Sequence, residues 1–169
     1  IVTQMIFYAL TNDLGIIEQL QENSHVRIFL DLESLGKKER QSKADAWLST
    51  HDFDDVKKVR KAFPNASIMV RIDPPNENNK GLIERCIDLG VQTIMLPFFH
   101  SQSEIQETIR LIDGRAALVP LFETKKSLEI VEMTARTMPI ECLHFGLNDL
   151  SIDHNLPFLF QVLRNGILD

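Results

Sequence analysis

Short apolar runs alternate along this chain with segments in which apolar residues recur every three or four positions. The runs have the length of strands, and the intervening segments have the spacing of amphipathic helices. The predicted strands are residues 5–10, 26–32, 67–72, 93–96, 117–122 and 142–145. Strands that alternate with helices form a parallel sheet, because each strand connects to the next through a right-handed crossover. The alternation therefore predicts an α/β fold with about six β/α units.

The predicted helices have recognisable ends as well as apolar faces. They are expected after residues 12–13, over residues 51–63, 80–89, 101–112 and 126–137, and from residue 158 to 163. Asn12-Asp13 and Ser101 offer favourable N-caps, and either Thr50 or Asp52 can begin the second helix. Gly90 follows the third helix, where a glycine commonly ends a helix in the left-handed conformation. These end signals agree with the helical spacing.

Two architectures fit a parallel sheet of this kind, an open doubly wound sheet and a (β/α)8 barrel of the TIM type. A nucleotide-binding open sheet more often carries a glycine-rich phosphate loop after its first strand, but residues 11–15 read TNDLG. A complete barrel takes about 250 residues, and this chain has 169. We therefore predict one TIM-barrel-type domain over residues 1–169 that lacks its last two strands at the C-terminus.

Composition excludes several classes of function. The net charge of -6 argues against a nucleic-acid partner. No apolar run approaches the ~20 residues that span a bilayer, so we expect no membrane partner. Cys86 and Cys142 are isolated within apolar patterns and are expected to be buried free thiols, as in a cytoplasmic protein. No pair of histidines has the spacing of zinc ligands.

Polar side chains stand where four of the six predicted strands end. They are Asp31 and Glu33 after the second strand, Arg71 after the third, Glu123 after the fifth, and Asn148 and Asp149 after the sixth. In a barrel these carboxyl ends meet at one mouth, where such enzymes carry out their chemistry. Carboxylates gathered beside one arginine resist ionisation, and a divalent cation would relieve their repulsion. Oxygen donors suit Mg2+ or Mn2+, which with a guanidinium would stabilise the enolate of a 2-oxo acid.

Each of these residues also has a purely structural interpretation. Glu123 or its neighbour Thr124 can cap the next helix, Arg71 can pair with Asp73, and Glu33 can pair with Lys37. It is the recurrence of polar residues at four strand ends that favours a shared site.

The segments that carry these residues resemble the HpcH/HpaI aldolase and citrate lyase β-subunit family of metal-dependent class II lyases. The matching segments are IFLDLE at 28–33, VRI at 70–72, MLP at 95–97, LFET at 121–124 and FGLNDL at 145–150. They follow the family's order and spacing and cover most of the chain from the second strand onward. The resemblance implies a (β/α)8 barrel that assembles as a trimer or hexamer.

The resemblance also implies roles for individual residues. Glu123 and Asp149 would bind Mg2+ or Mn2+, and Arg71 would contact the carbonyl oxygen of a pyruvate-like substrate and stabilise its enolate. Asp31 and Glu33 would hold metal-bound waters or the arginine during catalysis. The implied activity is that of a carbon–carbon lyase acting on a small 2-oxo acid.

Other positions leave alternatives open. Pro97 and Asn148 would lie beside the substrate. In the aldolases a histidine directly after the Asp-x-Glu segment takes part in proton transfer, and in citrate-lyase-like members that residue is usually an aspartate. Here the position is Ser34, which departs from both patterns. His51 or a metal-bound water could substitute, or the activity could be lost. The alternatives to an aldolase-like lyase are therefore a citrate-lyase-like enzyme that cleaves a CoA thioester and a non-catalytic assembly subunit.

Overall fold

In the part of the chain that the structure describes, six parallel strands form a single sheet in which sequence order and spatial order coincide. The structure, a computed structural model, describes residues 5–35 and 50–168. The strands are β1 Phe7–Leu10, β2 Val26–Asp31, β3 Ile68–Arg71, β4 Thr93–Leu96, β5 Ala117–Phe122 and β6 His144–Phe145. The helices are α1 Leu14–Leu20, α2 Phe53–Ala62, α3 Asn79–Asp88, α4 Gln102–Ile112, α5 Lys125–Leu128, α6 Val131–Thr137, α7 Leu147–Asp153 and α8 Gln161–Arg164. The predicted α/β fold of the TIM-barrel type is confirmed.

The two faces of the sheet pack into two separate apolar clusters. The outer cluster lies between the sheet and its helices and includes Ile28, Val70 and Ile94. The inner cluster consists of Met69, Met95, Val119 and Leu121, with Tyr8 and Phe29 packed against it. Because successive residues of a strand point to opposite faces, the residues two positions beyond the inner apolar side chains also point inward. This alternation sends Asp31, Arg71 and Glu123 to the inner side.

The sheet curls as a half-barrel, so that its first and last strands approach each other across the interior. The ring of Tyr8 on β1 lies 5.7 Å from that of His144 on β6, and the Tyr8 hydroxyl lies 3.7 Å from the Cys142 Sγ. Arg27 on β2 forms a bidentate ion pair with Glu141. The curvature brings the carboxyl ends of the strands towards one place.

Most predicted helix ends are confirmed. Asp13 caps α1 by accepting hydrogen bonds from two backbone amides, and Asp52, rather than Thr50, caps α2. Ser101 and Glu104 form a reciprocal capping box at the start of α4. Gly90 has a φ of 70° directly after α3. Among the described residues, no helix has the length and apolar content that a membrane span requires.

Two predictions of local structure are wrong, and one helix was not predicted. The helix expected over 126–137 is two short helices, because α5 ends at Leu128 and α6 begins at Val131, and the apolar spacing continues across the break. The helix α7 was not predicted, since its seven residues are too few for a periodic signal. Cys142 is exposed, whereas Cys86 is buried as expected. Cys142 precedes the edge strand β6, for which the described residues provide no further strand as cover.

Candidate active site

Arg71 occupies the centre of the inner mouth and is held by two buried carboxylates. Its Nε and Nη2 donate hydrogen bonds of 2.9 Å to the two oxygens of Asp31, and Nη2 lies 3.3 Å from the Glu33 Oε2. Asp31 and Glu33 are both 2% exposed. The pairing follows from the sheet, because Asp31 and Arg71 are direct register partners on neighbouring parallel strands. Arg71 therefore pairs with Asp31 and Glu33, and the alternative pairing with Asp73 is wrong.

The two acids keep this arginine charged. Burial by itself lowers the pKa of Arg71, but the hydrogen bond and charge of Asp31 and the charge of Glu33 outweigh burial and raise it. Nη1 makes no hydrogen bond to any residue in 5–35 or 50–168. The two acids therefore hold one side of the guanidinium rigidly. The N–H groups of Nη1, on the other side, can donate hydrogen bonds to a ligand. Lys37, the other suggested partner of Glu33, lies outside the described residues.

Glu123 extends from the end of β5 into the same interior and is 1% exposed. Its Oε1 accepts a hydrogen bond of 2.9 Å from the backbone N–H of Phe98, while its Oε2 is buried without a hydrogen-bond partner among the described residues. Burial, followed by the negative charge of Asp149, raises the pKa of Glu123 to about 8. Thr124, not Glu123, caps the following helix. A buried carboxyl with one bare oxygen beside another acid is a place where a cation would be stabilising.

The residues of the FGLNDL segment lie next to Glu123. Asp149 is half-buried on the first turn of α7 and is close enough to influence the Glu123 carboxyl electrostatically. Asn148 is exposed beside it, and its carbonyl oxygen accepts a hydrogen bond of 2.7 Å from the Ser151 hydroxyl. Gly146 approaches Glu123 so closely that an added Cβ would lie 2.9 Å from the Glu123 Cβ. The segment therefore places the negative charge of a second carboxylate near the Glu123 carboxyl.

This donor set fits a hard divalent cation. Among residues 5–35 and 50–168, no three His, Cys, Asp or Glu side chains are placed to hold a metal ion together. A cation beside Glu123 and Asp149 would therefore take two carboxylates from the protein and its remaining ligands from water and substrate. Mg2+ is commonly bound in this way, with few protein carboxylates and several waters.

Ser34 and Asp73 connect the loops that follow β2 and β3 through hydrogen bonds. One oxygen of Asp73 accepts hydrogen bonds from the backbone amides of Ser34 and Leu35, at 2.6 and 2.8 Å, and both oxygens lie 3.1 Å from the Ser34 hydroxyl. Ser34, at the position where the resemblance predicts a histidine or an aspartate, thus binds the loop that carries Asp73.

His51, shortly before α2, contacts the backbone of β2 beside Arg71 and Asp31. Its Nδ1 accepts a hydrogen bond of 3.1 Å from the backbone N–H of Asp31. A ring nitrogen that faces an N–H group cannot itself carry a proton, so the neutral ring holds its proton on Nε2. This geometry makes His51 a hydrogen-bond donor and argues against the proton-shuttle role left open by the sequence.

Two further residues at the site, Phe98 and His144, gave little signal in the sequence. Pro97 is buried at the end of β4, and the next residue, Phe98, has a φ of 45°, which a bulky side chain rarely adopts. His144 lies on the inner side, where burial and the charge of Arg71 lower its pKa. A glycine before an Asn-Asp pair was visible in the sequence, but its contact with Glu123 was not.

Solved structures of other proteins share the fold of this chain. An HpcH/HpaI aldolase/citrate lyase family protein of Burkholderia cenocepacia J2315 matches with a TM-score of 0.70 at 16% identity, over 94% of this chain and 71% of that one. The HpcH/HpaI aldolase of Desulfitobacterium hafniense DCB-2 matches with a TM-score of 0.67 at 17% identity, over 93% and 68%. This chain has the fold of the HpcH/HpaI aldolases and citrate lyases.

A third structure of the same fold carries ligands. The citrate lyase β subunit of M. tuberculosis, complexed with oxaloacetate and magnesium, matches with a TM-score of 0.61 at 15% identity, over 92% of this chain and 63% of that one. No protein-family model and no curated protein sequence matches this chain. The likeness is therefore one of fold.

Proposed function

We propose that this protein is a metal-dependent carbon–carbon lyase that stabilises a pyruvate-type enolate. The proposal rests on two groups that lie together at the carboxyl ends of the strands. A rigid guanidinium on β3 keeps one nitrogen for a ligand, and a buried carboxyl on β5 keeps one bare oxygen beside a second acid. A 2-oxo acid needs these two kinds of group, since its carbonyl oxygen gains negative charge during cleavage.

Glu123 and Asp149 would hold the Mg2+ or Mn2+ ion. When bound, the ion would supply positive charge that polarises the substrate's carbonyl oxygen. It would also lower the pKa of Glu123, which burial and Asp149 raise in the protein alone. Magnesium in the M. tuberculosis citrate lyase β subunit supports this part of the proposal.

Arg71 would act on the oxygen that becomes the enolate. In the cleavage, the hydroxyl proton of the substrate passes to a water molecule, the hydroxyl oxygen forms a new carbonyl bond, and the carbon–carbon bond breaks. The electron pair of that bond moves towards the carbonyl, whose oxygen gains charge. Nη1 of Arg71 would donate to that oxygen, while Asp31 and Glu33 hold the guanidinium in place. Pro97 and Asn148 would border the substrate.

Deuterium exchange tests the proposal without knowledge of the second product. Pyruvate that is enolised in heavy water loses its methyl protons, and proton NMR measures the loss. We expect exchange with the wild-type protein and Mg2+ or Mn2+, above a protein-free blank with the same metal. Arg71→Lys should slow exchange by about 100-fold, because lysine keeps the positive charge but lacks the planar set of N–H donors of a guanidinium. Arg110→Lys is the matched control, since Arg110 lies on an exposed helix face.

A folded wild-type protein that gives no exchange with either metal would reject the lyase. Ser34, bound to Asp73 where the resemblance predicts a histidine or an aspartate, favours a second candidate, a subunit that assembles without catalysis. That candidate predicts no thermal shift with Mn2+ and oxalate, a mimic of the enolate. A shift with CoA esters but not with pyruvate would favour a citrate-lyase-like reaction instead.

The proposal extends to assembly and location. We expect a homo-oligomer, a trimer or hexamer, in the cytoplasm. Sedimentation equilibrium at several concentrations would test the assembly, and a monomer at all of them would exclude it.

A further inference from the structure

We propose that Phe98 and Gly146 are positioning residues that preset the Glu123 carboxylate for a cation. Phe98 would hold Oε1 with a backbone hydrogen bond, and Gly146, which has no side chain, would let Glu123 keep that position. The inference rests on the metal site of the proposed function and names the two residues that build it.

The backbone of Phe98 is in an unfavourable conformation that its local sequence does not explain. Its φ of 45° lies in the left-handed region, as do those of Asp113 and Asn155 among the described non-glycine residues. Asp113 ends α4 and Asn155 follows α7, and both residue types tolerate this region at helix ends. Phe98 has a bulky side chain and follows a strand, so its conformation is held by its surroundings.

That conformation directs the Phe98 amide at one oxygen of Glu123. The N–H donates to Oε1 at 2.9 Å, across the boundary between the neighbouring strands β4 and β5. A carboxylate whose first oxygen is held by a backbone donor has lost most of its rotational freedom. The second oxygen, Oε2, is then turned to a fixed place, where it is buried without a hydrogen-bond partner in the described part of the chain.

Gly146 bounds that place from the other side. Its φ is -84°, so no backbone strain demands a glycine. An added Cβ would lie 2.9 Å from the Glu123 Cβ and 3.2 Å from Oε2, and the first distance is shorter than real Cβ contacts. The Gly146 amide donates a hydrogen bond of 2.9 Å to the Phe122 carbonyl oxygen at the end of β5. This bond opposes a shift of the Gly146 backbone away from Glu123. Glycine is needed here because any side chain would push Glu123 aside.

Two glycines with contrasting surroundings, Gly146 and Gly81, give a matched test. Gly146→Ala should displace Glu123 and weaken Mn2+ binding by at least about tenfold, measured by the electron paramagnetic resonance signal of free Mn2+. Gly81→Ala is the control, because an added Cβ there meets nothing within 4 Å. Unchanged affinity in a folded Gly146→Ala protein would overturn the role of Gly146.

Two variants of Phe98 test the amide. Phe98→Gly keeps the N–H and adopts a positive φ easily, so it should bind Mn2+ as the wild type does. Phe98→Pro removes the N–H and should lose at least about tenfold in affinity. Equal binding by a folded Phe98→Pro protein would show that the hydrogen bond does not preset Glu123.

A crystal structure of the wild-type protein with Mn2+ shows which oxygen of Glu123 binds the ion, and it needs no variant to fold. The expected result is Mn2+ on Oε2 of Glu123 with the Phe98 bond to Oε1 retained. Mn2+ on Oε1, or on both oxygens with that bond broken, would overturn the inference. Wild-type protein that binds no Mn2+, or binds it equally after Glu123→Gln, would instead reject the proposed metal site and the inference with it.

Discussion

Replacing Glu123 by glutamine should stabilise the protein at neutral pH when divalent cations are removed. The pKa of Glu123 is raised from 4.5 to about 8, because burial and Asp149 disfavour its charged form. A carboxyl with a raised pKa binds its proton more tightly when folded, so the folded state loses stability as pH rises from 4.5 towards 8. Glutamine carries no charge, and its Oε1 can still accept the hydrogen bond from Phe98.

The size of the effect follows from the shift in pKa. Each unit of difference corresponds to about 1.4 kcal/mol, counted only over the pH range in which the unfolded chain is ionised and the folded one is not. The advantage of Glu123→Gln should therefore be near zero below pH 4.5, about 1 kcal/mol at pH 5 and about 3 kcal/mol at pH 7. At 2–4 °C for each kcal/mol, the melting temperature at pH 7 should rise by about 6–12 °C.

Urea unfolding of both proteins at pH 5, 6, 7 and 8, with EDTA present, measures this difference. Glu84→Gln is the control, because Glu84 is exposed and its pKa is lowered by the hydrogen bond to Arg115, so its replacement should not stabilise. Added Mg2+ should raise the stability of the wild type and leave Glu123→Gln unchanged. Parallel pH profiles for the wild type and Glu123→Gln in EDTA would refute the reasoning.

Three further predictions concern stability and the state of one histidine. Arg60→Ala should lower the free energy of unfolding by about 2–4 kcal/mol in urea, since Arg60 donates to the carbonyls of Leu89, Pro64, Ala66 and Gly90; a loss no greater than that of Arg110→Ala would contradict this. Asp52→Ala should cost about 1 kcal/mol by the same measurement through the capping box with Asp55, and no change would show that the cap is dispensable. Nitrogen NMR at pH 7 should find the His51 proton on Nε2, because Nδ1 accepts from Asp31; a proton on Nδ1 would exclude the hydrogen bond.

The alternation of apolar runs and helical segments was enough to predict the sheet. The strands 93–96 and 117–122 match the structure to the residue, because buried parallel strands are continuous apolar runs. Alternation along each strand also sends Asp31, Arg71 and Glu123 to one face, so their meeting at one mouth followed from the sequence alone. Caps such as Asp13 and Ser101 were predictable since their hydrogen bonds are local.

Tertiary structure decided what depends on contacts between distant segments. The partners of Arg71, the bare oxygen of Glu123 and the strained peptide of Phe98 all arise between strands that are far apart in sequence. His51 is drawn to Asp31 across an intervening segment, which no spacing rule describes. The sequence by itself therefore determined which groups reach the mouth, because periodicity is local. Their pairing and charge state were left to the packing, because hydrogen bonds and desolvation depend on neighbours in space.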